Sequence, residues 1–124
     1  LVQHLRSRGL EAYGIDRFSV EKPYLLRSGW FDYDYGVSHW GTVISHLGFS
    51  NHFVHHHLRN DGDYLKYAAI YMKILAALRP GGRFYYAPSL PFIEQWLDKD
   101  RFSVISHNDY PGQYGSAIIE KLSR

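Results

Sequence analysis

Residues 78–83, which read Leu-Arg-Pro-Gly-Gly-Arg, constrain the fold more than any other part of this sequence. An apolar stretch with helical spacing precedes them, and the run Phe-Tyr-Tyr-Ala at residues 84–87 follows. Proline cannot continue a helix and disfavours helical geometry in the residue before it, while glycine adopts the positive φ angles of tight turns. The segment therefore predicts a helix, a tight turn and a strand in succession, as in an α/β fold.

Hydrophobic spacing in the rest of the chain predicts alternating helices and strands. Apolar residues three and four positions apart between Leu65 and Ala76 predict a helix, and the β-branched run at residues 42–47 predicts a buried strand. Residues 17–28 suit a short helix, and residues 30–35 suit a strand or an extended loop. Further helices are predicted at residues 1–8 and 92–98, and further strands at residues 10–15, 84–87, 101–106 and 117–122. The alternation predicts a single α/β domain whose sheet is mostly parallel, with an antiparallel C-terminal edge strand.

Composition excludes several classes of function. The chain has 124 residues and contains no cysteine, which rules out disulfides, thiolate metal sites and a cysteine nucleophile. Its 14 basic and 12 acidic residues are scattered along the sequence, so no nucleic-acid partner is indicated. No apolar run approaches the roughly 20 residues that cross a bilayer, and we predict a soluble, cytoplasmic protein without a membrane partner. The sequence does not identify the oligomeric state.

Several segments together resemble the class I S-adenosylmethionine-dependent methyltransferases. The turn at residues 78–83 is similar to the one before the fifth strand of that family, and residues 9–16 (Gly-Leu-Glu-Ala-Tyr-Gly-Ile-Asp) resemble its second strand. Residues 40–45 (Trp-Gly-Thr-Val-Ile-Ser) resemble its Phe-Asp-x-Val-x-Ser motif, with Gly41 in place of the acid. The resemblance covers nearly the whole chain. It implies a Rossmann-like three-layer sandwich, S-adenosylmethionine as cofactor, and methyl transfer to an unidentified acceptor.

The resemblance also assigns a cofactor site. Asp16 takes the position of the acid that binds the ribose hydroxyls, and Arg17 follows it. Residues 28–30 (Ser-Gly-Trp) stand where the family places a carboxylate near the adenine, so that contact falls to backbone groups and stacking on Trp30, next to Phe31, or to the nearby Asp32. Ser45 and His46 fall at the carboxyl end of the family's fourth strand, which faces the methionine moiety and the acceptor.

Two histidines are the candidate catalytic residues. Because the imidazole pKa lies near neutrality, a histidine can accept the proton that the methyl acceptor loses. His46 and His52 lie nearest to the reacting centre that the resemblance implies. His52 and His56 also have the spacing of metal ligands on one helix face, but no recognisable third ligand accompanies them, and we predict no metal site.

One part of the family pattern is absent from the printed sequence. The family's first strand and its Gly-x-Gly-x-Gly loop should precede residue 1, and the first strand is central in the family's sheet. A gap there would leave two ladders of backbone groups unpaired, so we expect upstream residues that are not shown. Two alternatives stay open: a catalytically inactive methyltransferase-like binding or scaffold module, and another nucleotide-binding Rossmann domain that uses a nicotinamide cofactor.

Overall fold

A computed structural model describes residues 1–16, 22–46, 48–58, 62–107 and 115–123. The chain divides into two compact units, Leu1–Asp34 and Tyr35–Arg124, which are described separately below. The organisation as a single domain stays a prediction. In the part of the chain that the structure describes, no helix has the length and apolar character needed to cross a membrane.

The first unit contains one short helix and two short strands. Helix α1 (Val2–Ser7) confirms the predicted helix, and Gly9 follows it with a φ of 86°, the left-handed conformation expected after a helix end. Strand β1 (Gly14–Asp16) starts four residues later than predicted and pairs in parallel with β2 (Leu25–Arg27). The prediction of a short helix at residues 17–28 was wrong for Leu25–Arg27, which form strand β2. Residues 17–21 lie outside the described residues. Residues 30–32 form a turn rather than a strand.

The described elements of the second unit are, in chain order, β3 (Trp40–His46), α2 (Phe49–Leu58), α3 (Tyr64–Ala77), β4 (Leu78–Ala87), α4 (Pro91–Glu94), β5 (Phe102–His107) and β6 (Ser116–Lys121). The strands form a four-stranded sheet with the strand order β3-β4-β6-β5. Helices α2 and α3 follow β3 along the chain, and the short helix α4 follows β4. The helix predicted between Leu65 and Ala76 and the predicted strands of this unit are therefore present, whereas the helix predicted at residues 92–98 ends at Glu94.

The observed strand directions differ from those predicted for the sheet. Strand β3 is parallel to β4, whereas β6 is antiparallel to both β4 and β5, so two of the three pairs are antiparallel and the mostly parallel sheet was wrong. The C-terminal strand β6 is antiparallel as predicted, but it lies between β4 and β5 and not at the edge. The reason is that only residues 108–115 separate β5 from β6, and a connection this short joins antiparallel neighbours rather than a parallel crossover. The three-layer sandwich and the missing first strand stay predictions.

The Pro-Gly-Gly segment forms an excursion within β4 rather than a turn before it. Leu78 pairs with Trp40 and Arg83 pairs with Thr42, so residues 79–82 bulge out opposite a single residue, Gly41. Gly81 has a φ of 82°, and a Cβ atom on Gly82 would lie 2.9 Å from two backbone carbonyl oxygens. The first glycine is therefore needed for its conformation and the second for the close approach of β3.

An aromatic core joins α2 and α3 to one face of the sheet. Phe53 and Tyr71 are fully buried, and their rings lie 6.4 Å apart. Tyr71 also contacts the rings of Phe84 and Tyr86 on β4, at 6.1 and 5.8 Å. The prediction of a buried strand at residues 42–47 was wrong, because no described residue of β3 is buried: half-buried Val43 and Ser45 alternate with exposed Thr42, Ile44 and His46.

Candidate functional site

The second face of the sheet, termed here the outer face, carries three rows of residues that run across the strands. Register pairs place Thr42, Arg83, Glu120 and Ser103 in the first row, and Ile44, Tyr85, Ile118 and Ile105 in the second. The third row contains His46 beside Ala87 and Ser116 beside His107. In the second row Ile44 is 54% exposed and Ile105 is 47% exposed. Toward the carboxyl ends of β3 and β4, the first row of the outer face is charged, the second is apolar, and the third carries imidazole and small side chains.

A groove of about 230 Å³ lies at that end of the sheet. Its lining comes from the last residues of β3, β4 and β5 and the first residues of β6. The side chains of His46 and His107, both exposed, belong to the two outer strands, and Ala87 and Ser116 lie between them on the inner strands. The lining residues are Ile44, Ser45, His46, Tyr85, Tyr86, Ala87, His107, Ser116, Ala117 and Ile118.

Two of the predicted site residues, Ser45 and His46, lie in this groove. The Ser45 hydroxyl accepts a hydrogen bond of 3.1 Å from the backbone N–H of Phe49, the first residue of α2. Phe49 is itself 1% exposed and anchors α2 in the core, which fixes the end of β3 against the helix that follows. His46 is therefore presented from a strand end whose backbone is held by its neighbour.

The predicted nucleoside-binding residues lie in the first unit. Asp16 is exposed at the carboxyl end of β1, as predicted. Trp30 and Phe31 are half-buried in the turn that follows β2. Arg17 lies outside the described residues. The binding roles of all four residues stay predictions.

The predicted catalytic residue His52 is exposed on the first half of α2, and it is not among the residues that line the groove. Further along the helix, His56 accepts a hydrogen bond of 3.0 Å from the backbone N–H of Asp63, and its ring lies 4.6 Å from that of Tyr67. Among the described residues, no three histidine, aspartate or glutamate side chains are grouped as a metal site requires. The contacts of His56 give this histidine a structural role at the connection to α3.

A buried hydrogen-bond chain lies directly behind the groove. The Tyr86 hydroxyl donates to Glu94 Oε2 at 2.5 Å, and the same oxygen accepts from the backbone N–H of Leu90 at 2.7 Å. The Tyr71 and Tyr86 hydroxyl oxygens are 2.8 Å apart. Because Tyr86 gives its only hydroxyl hydrogen to Glu94, Tyr71 is the donor of this second bond. These hydrogen bonds connect β4 to α3 and to α4.

Burial sets the acidity of the two tyrosines in this chain. Glu94 is 4% exposed and the Tyr71 ring is fully buried. Loss of solvent, the largest cause, raises the pKa of Tyr71 and of Tyr86 above the ordinary value near 10, and the nearby Glu94 raises both further. Both hydroxyls therefore stay protonated hydrogen-bond donors throughout the physiological range.

Sequence reasoning missed His107, Ser116, Glu94 and Tyr71 as residues in or behind this site. For His107 and Ser116, the sequence indicated only that they lie at the ends of the last two predicted strands. Only the antiparallel register, which pairs His107 with Ser116, brings them to the groove.

No protein-family model matches this chain. No curated protein matches it either. The fold is similar to that of a crystal structure of an rRNA methylase from Streptococcus thermophilus, with a TM-score of 0.55 and 18% sequence identity. The match covers 98% of this chain and 64% of the methylase chain, so this chain spans less than two thirds of that protein. At this identity the likeness shows a shared mixed α/β fold.

Proposed function

We propose that this chain functions as an S-adenosylmethionine-dependent methyltransferase. The observation that carries the proposal is the fold likeness to a methylase, because it extends over 98% of the chain. The segments at residues 9–16, 40–45 and 78–83 that resemble class I methyltransferases support it independently. A groove at the carboxyl ends of parallel strands, the usual ligand position in open α/β sheets, also supports it.

Each predicted site residue has a distinct role in this proposal. The carboxylate of Asp16 accepts hydrogen bonds from the ribose hydroxyls, and the neighbouring Arg17 contributes to the same subsite. Trp30 and Phe31 offer aromatic surface for the adenine. Ser45 and His46 border the methionine moiety and the acceptor. His46 lines the groove and is the first candidate for the base, and the exposed His52 is the second.

The proposed reaction is a direct displacement. When bound, S-adenosylmethionine would supply a methyl group activated by its sulfonium sulfur. The acceptor nucleophile would form a bond to the methyl carbon as the sulfur–carbon bond breaks, and the electron pair of that bond would stay on sulfur. The imidazole of His46 accepts the proton that the acceptor loses. The principal contribution of the protein is to hold the nucleophile in line with the methyl group.

Titration calorimetry with S-adenosylhomocysteine tests the cofactor assignment. We expect the intact protein to bind this nucleoside and Asp16→Asn to weaken binding roughly 10- to 100-fold, as for loss of hydrogen bonds to a charged acceptor. The matched control is Asp100→Asn, because Asp100 is also an exposed carboxylate and lies in a turn between α4 and β5.

Two further results would contradict this assignment. Binding of NAD in place of S-adenosylhomocysteine would favour the nicotinamide-dependent alternative. Failure to bind either nucleoside at millimolar concentration would favour the binding or scaffold module.

A further inference from the structure

We propose that the groove between His46 and His107 is the binding site for the methyl acceptor, and that this acceptor is an uncharged, planar aromatic or heteroaromatic compound. The identification of the bound compound as a methyl acceptor rests on the proposed function. The binding site itself rests on the geometry of the outer face.

The groove has the form of a slot with a shallow floor. His46 and His107 lie on the two outer strands, and the small side chains of Ala87 and Ser116 lie between them. Neighbouring strands are about 4.8 Å apart, so the three spacings from β3 to β5 separate the two histidine backbones by roughly 14 Å. A flat ring system fits over the small floor between two imidazoles, and the volume of about 230 Å³ is enough for a molecule of that size.

The wall of the groove is apolar. Ile44, Tyr85 and Ile118 occupy the row next to the histidines, and they present branched aliphatic and aromatic surface to a ligand on the floor. An aromatic ring gains from contact with the Tyr85 ring in addition to the area that it buries. A sugar or a polyol would lose water against this wall without recovering hydrogen bonds.

The charge of the lining favours a neutral ligand. Among the described residues that line the groove, none is Asp, Glu, Lys or Arg. The nearest charged row contains Arg83 and Glu120, whose Nε and Oε1 atoms form an ion pair at 3.1 Å. A ligand carrying a carboxylate or a phosphate would enter the groove without a fixed opposite charge, and its desolvation would oppose binding.

Polar groups stand at the ends of the slot and not along its wall. His46 at one end, with Ser116 and His107 toward the other, can donate to or accept from a ring substituent. A hydroxyl or ring N–H directed at His46 is then positioned to lose its proton there, while His107 acts as a binding residue at the opposite end. The two histidines therefore have different roles: His46 accepts the proton and His107 binds the ligand at the other end.

Fluorine NMR with three small probes tests the ligand class without cofactor. The probes are 4-fluorophenol, which is neutral and aromatic, 4-fluorobenzoate, which is anionic, and 4-fluorocyclohexanol, which is neutral and not planar. We expect 4-fluorophenol to bind with a dissociation constant on the order of 1 mM, as for a ligand of this size, and the other two at least about fivefold more weakly. Equal affinity for all three probes, preference for the benzoate, or no binding would overturn the proposal.

Substitutions locate the binding. We expect His46→Ala to weaken 4-fluorophenol binding about threefold to tenfold, since the hydrogen bond to the single phenol hydroxyl is lost at an exposed side chain. Ile44→Asp introduces a charge into the apolar wall at a position that is 54% exposed, and we expect it to weaken binding at least as much. The control His55→Ala removes an exposed imidazole on α2 and leaves binding unchanged. Circular dichroism checks that each variant is folded, and a phenol affinity unaffected by both groove variants would refute the location.

The outcomes separate this inference from the proposed function. Binding of the phenol by a protein that ignores S-adenosylhomocysteine would support the groove as a site and refute the methyltransferase. Binding of S-adenosylhomocysteine by a protein that ignores the phenol would support the methyltransferase and refute the aromatic acceptor.

Discussion

The buried Tyr71–Tyr86–Glu94 chain predicts that two chemically identical substitutions differ in cost. Tyr86→Phe removes the hydroxyl that donates to Glu94 Oε2 at 2.5 Å, and it also leaves the Tyr71 hydroxyl without its acceptor 2.8 Å away. Tyr71→Phe removes only the bond between the two hydroxyls, and Tyr86 continues to donate to Glu94. The two changes remove the same atom type from rings that are both buried.

The expected magnitudes follow from these bonds. A hydrogen bond to a charged group contributes about 1.5–3 kcal/mol to folding and one between neutral groups about 0.5–1.5 kcal/mol, with a further cost for a buried group left unpaired. Tyr86→Phe should therefore lower the free energy of unfolding by about 3 kcal/mol, and Tyr71→Phe by about 1 kcal/mol. The double variant should cost less than the sum, because it contains no orphaned Tyr71 hydroxyl.

Urea unfolding followed by far-ultraviolet circular dichroism provides the measurement. With a slope of about 1.5 kcal/mol per molar urea, the midpoint falls by about 2 M for Tyr86→Phe and by about 0.7 M for Tyr71→Phe. Tyr13→Phe is the matched control, since its hydroxyl donates to Glu11 Oε1 at 3.0 Å on the surface and its loss should change stability little. Equal costs for the two buried positions, or a larger cost for Tyr71→Phe, would refute the donor assignment.

Two other predictions concern the turn and the pH dependence. Gly82→Ala places a methyl group 2.9 Å from two backbone carbonyl oxygens, and we expect a loss of about 1–3 kcal/mol in urea unfolding; an unchanged midpoint would show that the excursion can shift. Burial raises the pKa of Tyr71 and Tyr86 in the folded protein above the value near 10 that they have when unfolded. Their stabilisation is therefore complete below about pH 10 and is lost as the pH rises further. Absorbance at 295 nm should show these two tyrosines ionising only with unfolding, and ionisation at pH 10 in the folded state would contradict the burial.

The sequence predicted the elements whose signals are local. The apolar spacing within α3 and the β-branched run of β3 need no information from the rest of the chain, and both elements are present. Strand β2 was missed because its three residues, Leu25–Arg27, depend on pairing with β1 rather than on their own pattern. The place of β6 inside the sheet was also missed, since nothing in its own residues indicates which strand lies on either side.

The candidate site was predicted in part for the same reason. His46 follows a recognisable strand, so its position at the end of β3 could be inferred, whereas His107 joins it only through the register of two other strands. Glu94 was missed because the segment Pro-Phe-Ile-Glu does not indicate a buried carboxyl group. Its partners come from β4 and from the backbone of Leu90, and only the folded arrangement shows that the cost of burying it is offset.

The interior position of β6 has a consequence for how the sheet assembles during synthesis. Strand β5 leaves the ribosome before β6, but its neighbour in the sheet is β6, and β6 in turn pairs with β4. Nascent β5 therefore has no partner strand until the residues up to Lys121 have been translated. Only then can the β4–β6 and β5–β6 pairs form. Synonymous codons that slow translation between β5 and β6 would lengthen the time during which the edge of β4 is open to incorrect pairing.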